Sequence, residues 1–145
     1  MSFQFSLQKV LDVRDREKNE AEKSYHEAVE AFEQTATKLY EMLKRREELE
    51  HEKTRQLTEG LSIAGIQMTE QTLAYLQKEI ARLEKETNQK RSKMQDKQKY
   101  LTVKTVDLKK YEKMKELKHE AFLAAEKSEE MKFLDEISVQ QFVRR

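Results

Sequence analysis

The sequence predicts an all-α protein: two long helices folded into an antiparallel coiled-coil hairpin with a C-terminal helical overhang. Three observations carry this expectation. The 145 residues include no proline and two glycines, Gly60 and Gly65, both near the middle, where average usage would give roughly 7 and 10. Apolar residues recur at alternating steps of four and three on both sides of those glycines. The two sides also carry opposite net charge. Sandwiches, barrels and doubly wound sheets need many turns, whose special backbone angles proline and glycine supply. This chain has the means for one.

The first helix is expected over about residues 4–58. Steps of four and three from Leu7 give Leu7, Leu11, Arg14, Lys18, Ala21, Tyr25, Ala28, Phe32, Thr35, Leu39, Met42, Arg46, Leu49 and Lys53, of which nine of 14 are apolar. That is a heptad seam with polar interruptions. Between these positions stand Glu, Lys, Gln, Ala and Leu, all strong helix formers. Acid-before-base pairs such as Asp12/Arg16 and Glu41/Arg45 each add a few tenths of a kcal/mol.

The pattern lapses after Leu57, and residues 59–65 are expected to form the turn. Gly60 is placed to end the first helix in a left-handed conformation. Ser62 or Thr69 is placed to cap the next. A second helix follows over about residues 66–140. Its seam reads Ile66, Thr69, Leu73, Leu76, Ile80, Leu83, Thr87, Lys90, Met94, Lys97, Leu101, Lys104, Leu108 and Tyr111. It is strongly apolar from Leu73 to Leu83 and weak from Thr87 to Lys104. Lys90, Lys97 and Lys104 either turn outward through a phase shift or leave a weak seam with their stems covered. The terminal half is therefore expected to be less stable than the turn half.

Charge fits the pairing. Residues 15–59 hold 13 acids and 9 bases; residues 83–119 hold 12 bases and 6 acids. With the turn centred near Ser62, residue i faces roughly residue 124 − i, and each arm of about 55 residues spans roughly 80 Å. Residues 122–145 then lack a partner within the chain, although they carry Phe122, Leu123, Met131, Phe133, Leu134, Ile137, Val139, Phe142 and Val143. An unpaired apolar stripe of this kind reads as an interaction surface, or alternatively as a fold-back or fraying helix. Near the turn, Leu61, Ile63, Ile66, Met68 and Tyr75 form either a small packed cap or a second docking site. A homodimeric coiled coil acting as a structural spacer is the competing architecture.

Several function classes are disfavoured. The 39% charged composition is nearly balanced, at +1 net, whereas disorder usually needs high net charge. The absence of cysteine excludes disulfide and thiol chemistry and fits a cytoplasmic location. No apolar run is long enough to span a membrane, and the N-terminus does not read as a secretory signal. His26, His51 and His119 are dispersed and lack metal-ligand spacing. No phosphate-cradling glycine loop occurs. No catalytic residue, metal site or cofactor is expected. The lysines of 85–118 are interrupted by acids and the sequence pI is about 7.8, unlike a typical nucleic-acid binder.

The N-terminus reads Phe3-x-Phe5-x-Leu7-x-Lys9-Val10-Leu11-x-x-Arg14. The last section holds Glu130-Met131-Lys132-x-x-Asp135-Glu136 followed by Phe142, and the middle has the Gly60 break with an onset over Gln71–Leu76. In order, spacing and total length, these features resemble the FliJ family of bacterial flagellar export proteins over nearly the whole chain. The resemblance implies a cytoplasmic component at the inner face of the flagellar basal body, shaped like the central stalk of rotary ATP synthases. It implies the hexameric export ATPase and the cytoplasmic region of the export gate as partners, with export chaperones or substrates besides. Carried over to this sequence, Phe3, Phe5, Leu7, Leu11, Arg14, Phe122, Met131, Leu134, Asp135, Glu136 and Phe142 would bind the ATPase. Met42, Leu49, Leu73, Tyr75 and Leu76 would face the gate.

Overall fold

The computed structural model describes residues 2–60 and 62–144. It contains two helices packed against each other as a hairpin: α1, Gln8–Glu59, of 52 residues, and α2, Ile63–Arg144, of 82 residues. Leu61, expected in the apolar group near the turn, lies outside the described residues.

Helix α1 starts later than its apolar spacing suggests. Residues 3–5 lie outside any helix or strand, and the chain turns in where the Gln8 amide donates to the Phe5 carbonyl at 3.0 Å. Phe3, Leu7 and Leu11 match a helical period, but leaving the helix lets Phe5 enter the core at 8% exposure. At the other end Gly60 has φ of +72°, the left-handed conformation that closes a helix and that a Cβ disfavours. Ser62 is the cap of α2: its hydroxyl accepts from the Gly65 amide at 3.2 Å, satisfying a donor of the first turn. Thr69 is instead inside the helix, its hydroxyl 3.1 Å from the Gly65 carbonyl and 3.2 Å from Gln56 Oε1.

The chain divides into two compact units. The unit comprising Ala21–Leu101 contains the turn. Its core is the apolar part of the seam: Leu49 from α1 and Leu76, Ile80 and Leu83 from α2 are buried, the last two 3% exposed, and Ala28 is buried further along, beside Lys90 and Lys97. Full burial of such side chains contributes about 1.5–3 kcal/mol each. The antiparallel register follows the expected one: Lys53 pairs with Glu70 at 3.1 Å, and Arg91 lies over the Phe32 ring at 5.5 Å. Every seam position of this unit is buried or half-buried, Lys90 and Lys97 included. The lysines thus keep the phase of the seam. Beside them a small gap is lined by Ser24, Glu27, Ala28 and Ala31, so short residues opposite make room for the lysine stems.

The unit comprising Met1–Glu20 and Thr102–Arg145 holds its own apolar cluster of Phe5, Leu11 and Leu108, with Phe3, Leu7 and Tyr111 packed against it. The aromatic N-terminal motif therefore gives this unit a core that the heptad steps alone do not reveal. Beyond the cluster α2 stays helical, and from Leu123 to Arg144 every residue except the half-buried Ile137 is exposed.

Candidate functional site

Within the terminal unit, the N-terminal strap is held by aromatic contacts. The Phe3 ring sits 4.9 Å from the His119 imidazole and 5.6 Å from the Phe122 ring, both tilted, in the range where ring pairs gain beyond burial. Phe3, Phe5, Leu7, Leu11 and Phe122 thus come together through the chain's own packing. Phe5 and Leu11 are buried there and position the strap; they do not present a surface.

Arg14 belongs to the same end of the molecule through a polar relay. Its Nη1 donates to both Glu17 carboxylate oxygens, at 3.2 and 3.0 Å, and its guanidinium lies 6.0 Å from the Tyr111 ring centre. Glu17 Oε2 also accepts from Lys104 Nζ at 3.1 Å. Lys104 is a seam residue with its side chain 19% exposed, so Glu17 supplies the partner that a half-buried ammonium requires. The Lys104 hydrogen bond, followed by that of Arg14, holds the Glu17 carboxyl below the usual glutamate range. Glu17 in turn raises the Arg14 guanidinium above its ordinary value. These polar groups are engaged with one another, as structural ion pairs.

The remaining residues of the C-terminal motif stand apart from that cluster. Met131 is nine residues beyond Phe122, about 14 Å along a helix. Met131, Leu134 and Phe142 are 58%, 60% and 79% exposed, and Asp135 and Glu136 are exposed with them. Large apolar side chains alternate here with carboxylates on a single helix, a surface built for contact rather than for a core.

Near the turn, Leu49 and Leu76 are buried in the seam, Met42 and Leu73 are half-buried, and Tyr75 is 62% exposed. Ile63 and Met68 are exposed as well and Ile66 half-buried, so these four side chains do not close into a packed cap. Two exposed aromatics, Tyr40 and Tyr100, stand off the heptad positions; Tyr40 flanks an open groove with Leu43, Lys44, Arg46, Glu47 and Glu50. The signal was available: Tyr40 is a large ring one step off the seam residue Leu39, where a solvated face calls for a polar side chain.

Among the described residues no group of three His, Cys, Asp or Glu side chains could hold a metal ion. Nor, among the described residues, is any helix long and apolar enough to cross a membrane. A helical hairpin whose exposed large apolar residues are most frequent near the turn and along the last part of α2 has the character of a protein that acts by presenting surfaces to partners.

The comparisons make that class specific. The description "Flagellar FliJ protein" matches residues 3–145. The chain is 36% identical over 143 residues to the flagellar FliJ protein of Bacillus subtilis (strain 168), covering 99% of this chain and 97% of that protein. No solved structure matches it. The chain belongs to the FliJ family and is a non-catalytic component of the flagellar export apparatus.

Proposed function

We propose that the chain is a coiled-coil stalk that binds the hexameric flagellar export ATPase and couples it to the cytoplasmic region of the export gate. The observation carrying this reading is the exposed set Met131, Leu134, Asp135, Glu136 and Phe142 on the last part of α2. In this reading those five residues contact the ATPase. Phe3, Phe5, Leu7, Leu11, Arg14 and Phe122 brace the helix from which they project. The gate contact uses the turn-proximal half: Tyr75 supplies the exposed ring, while Met42, Leu49, Leu73 and Leu76 hold the helix pair beneath it. The same exposed apolar surfaces suit export chaperones or substrates as further partners. Such a protein works at the cytoplasmic face of the basal body.

The mechanism is differential binding. A ligand shifts an equilibrium only by preferring one state. A helical rod gripped by one conformation of an ATPase subunit more tightly than by another would bias the sequence of states around the ring, with no catalytic group of its own.

The test removes residues 124–145 and retains Phe122, because that ring supports Phe3. The truncated chain is expected to keep its helical circular dichroism and to lose both capture of the export ATPase and any effect on ATP hydrolysis. Undiminished capture overturns the assignment. For the gate, Tyr75→Ala is expected to weaken binding to the gate's cytoplasmic region and leave ATPase binding intact.

A further inference from the structure

Helix α2 carries a second heptad seam, on a face about a quarter turn round the helix from the one that meets α1. Steps of four and three from Val103 run through Asp107, Lys110, Met114, Leu117, Ala121, Ala124, Ser128, Met131, Asp135, Ser138 and Phe142. Its first members each stand one residue before the seam positions Lys104, Leu108 and Tyr111, so at about 100° per residue the row lies roughly a quarter turn from the face that meets α1. Its apolar members are open to solvent: Val103 is 56% exposed, Leu117 53%, Met131 58% and Phe142 79%.

The charges along this part of the helix, with Lys110 and Asp135 on the row itself, say what would cover it. Residues 109–118 hold five lysines and two glutamates, whereas residues 120–136 hold six acids and two lysines. One stretch of helix is basic and the next is acidic. A second copy laid parallel and in register would set Lys110 against Lys110 and Asp135 against Asp135. A second copy laid antiparallel, with the seam's layers aligned, sets Lys110 against Asp135, Met114 against Met131, Val103 against Phe142 and Ala121 against Ala124. Glu120 then flanks Lys127. The small alanine layer allows close approach at the centre, and each favourable pair occurs twice by two-fold symmetry.

We propose that this face is a homodimer interface: two copies pair through α2 in antiparallel register, centred between Phe122 and Leu123. The row spans about 40 residues, or about 60 Å, and a helix is about 10 Å wide. That gives about 600 Å² per copy and about 1,200 Å² in total, at the lower edge of specific stable interfaces. The pairing is therefore concentration-dependent and salt-sensitive. It covers Met131, Asp135 and Phe142, so a dimer hides the residues assigned above to the ATPase. The inference does not rest on that assignment and is tested on the isolated protein.

Sedimentation equilibrium over a concentration series, at low and high salt, reads the mass directly. The wild type is expected to rise from 17.4 kDa toward twice that value, with weaker association at high salt. Lys110→Asp places like charges in the seam and is expected to weaken dimerisation by at least about tenfold. Lys110→Asp combined with Asp135→Lys restores opposite charges and is expected to recover it. Both positions are exposed, and unchanged helicity checks that the fold survives. A monomer mass throughout, an unaffected single variant, or a double variant as weak as the single one overturns the proposal.

Discussion

Thr87 offers the sharpest test of the packing. Six threonines inside the helices, Thr35, Thr37, Thr54, Thr58, Thr69 and Thr72, place their hydroxyls 2.8–3.1 Å from the carbonyl four residues earlier. Thr87 does not. It is 3% exposed, and its Oγ1 is buried without a hydrogen-bond partner. An unsatisfied buried hydroxyl costs about 1–3 kcal/mol. Thr87→Val keeps the shape and the β-branching and removes the orphan group, so it is expected to stabilise the hairpin by about 1–2 kcal/mol. For a chain of this length that raises the melting midpoint by about 2–6 °C. Thr35→Val is the control: Thr35 is also buried, but its hydroxyl donates to the Ala31 carbonyl at 3.0 Å, so its loss is expected to be neutral or mildly destabilising. Thermal melts followed by far-ultraviolet circular dichroism compare the three proteins. A Thr87→Val midpoint no higher than wild type, or an equal gain from Thr35→Val, refutes the reasoning.

Other perturbations have expected outcomes. Ile80→Ala deletes a seam side chain that is 3% exposed and should lower the urea midpoint by the equivalent of about 2–3 kcal/mol, toward the low end of buried truncations because a two-helix seam can partly collapse. Gly60→Ala forces a Cβ into φ of +72° and should cost about 1 kcal/mol in the same assay, although the space around it is open. For Glu17, the folded carboxyl titrates below its ordinary value of 4.5. Its stabilising contribution is therefore present above that value and is lost as pH falls through the folded one. Glu17→Gln should lower stability at neutral pH and flatten the acid limb of a urea-midpoint profile; an unchanged acid limb contradicts the relay with Lys104 and Arg14.

Much of the fold is legible in the sequence because a long helix pair has few degrees of freedom. The phase of the apolar residues fixes which face of each helix meets the other, and one turn fixes the register. The seam positions read from Leu7 and from Ile66 are all buried or half-buried in the structure, including the three lysines that a simple hydrophobicity argument would turn outward. The contact surface is less legible. The N-terminal motif Phe3, Phe5, Leu7, Leu11 and Arg14 and the C-terminal motif around Met131 look alike as strings of apolar and charged residues. Packing separates them: Phe5 and Leu11 fall inside and Met131 and Phe142 outside. The same ambiguity concealed Tyr40, since an aromatic beside a seam can tuck inward or stand clear.

The sequence by itself determined the helices, the single turn at Gly60, the antiparallel register and the excess length of the second arm. These follow from local propensity and from a periodicity that must match along the whole seam. The tertiary structure decided the rest. It took Phe3 to Phe5 out of the helix to close a core with Leu108, chose Ser62 over Thr69 as the cap, bound Lys104 to Glu17 and left Thr87 unsatisfied. Those outcomes depend on which atoms meet across the pair at distances of 3–6 Å, and periodicity along one strand of sequence carries no record of that.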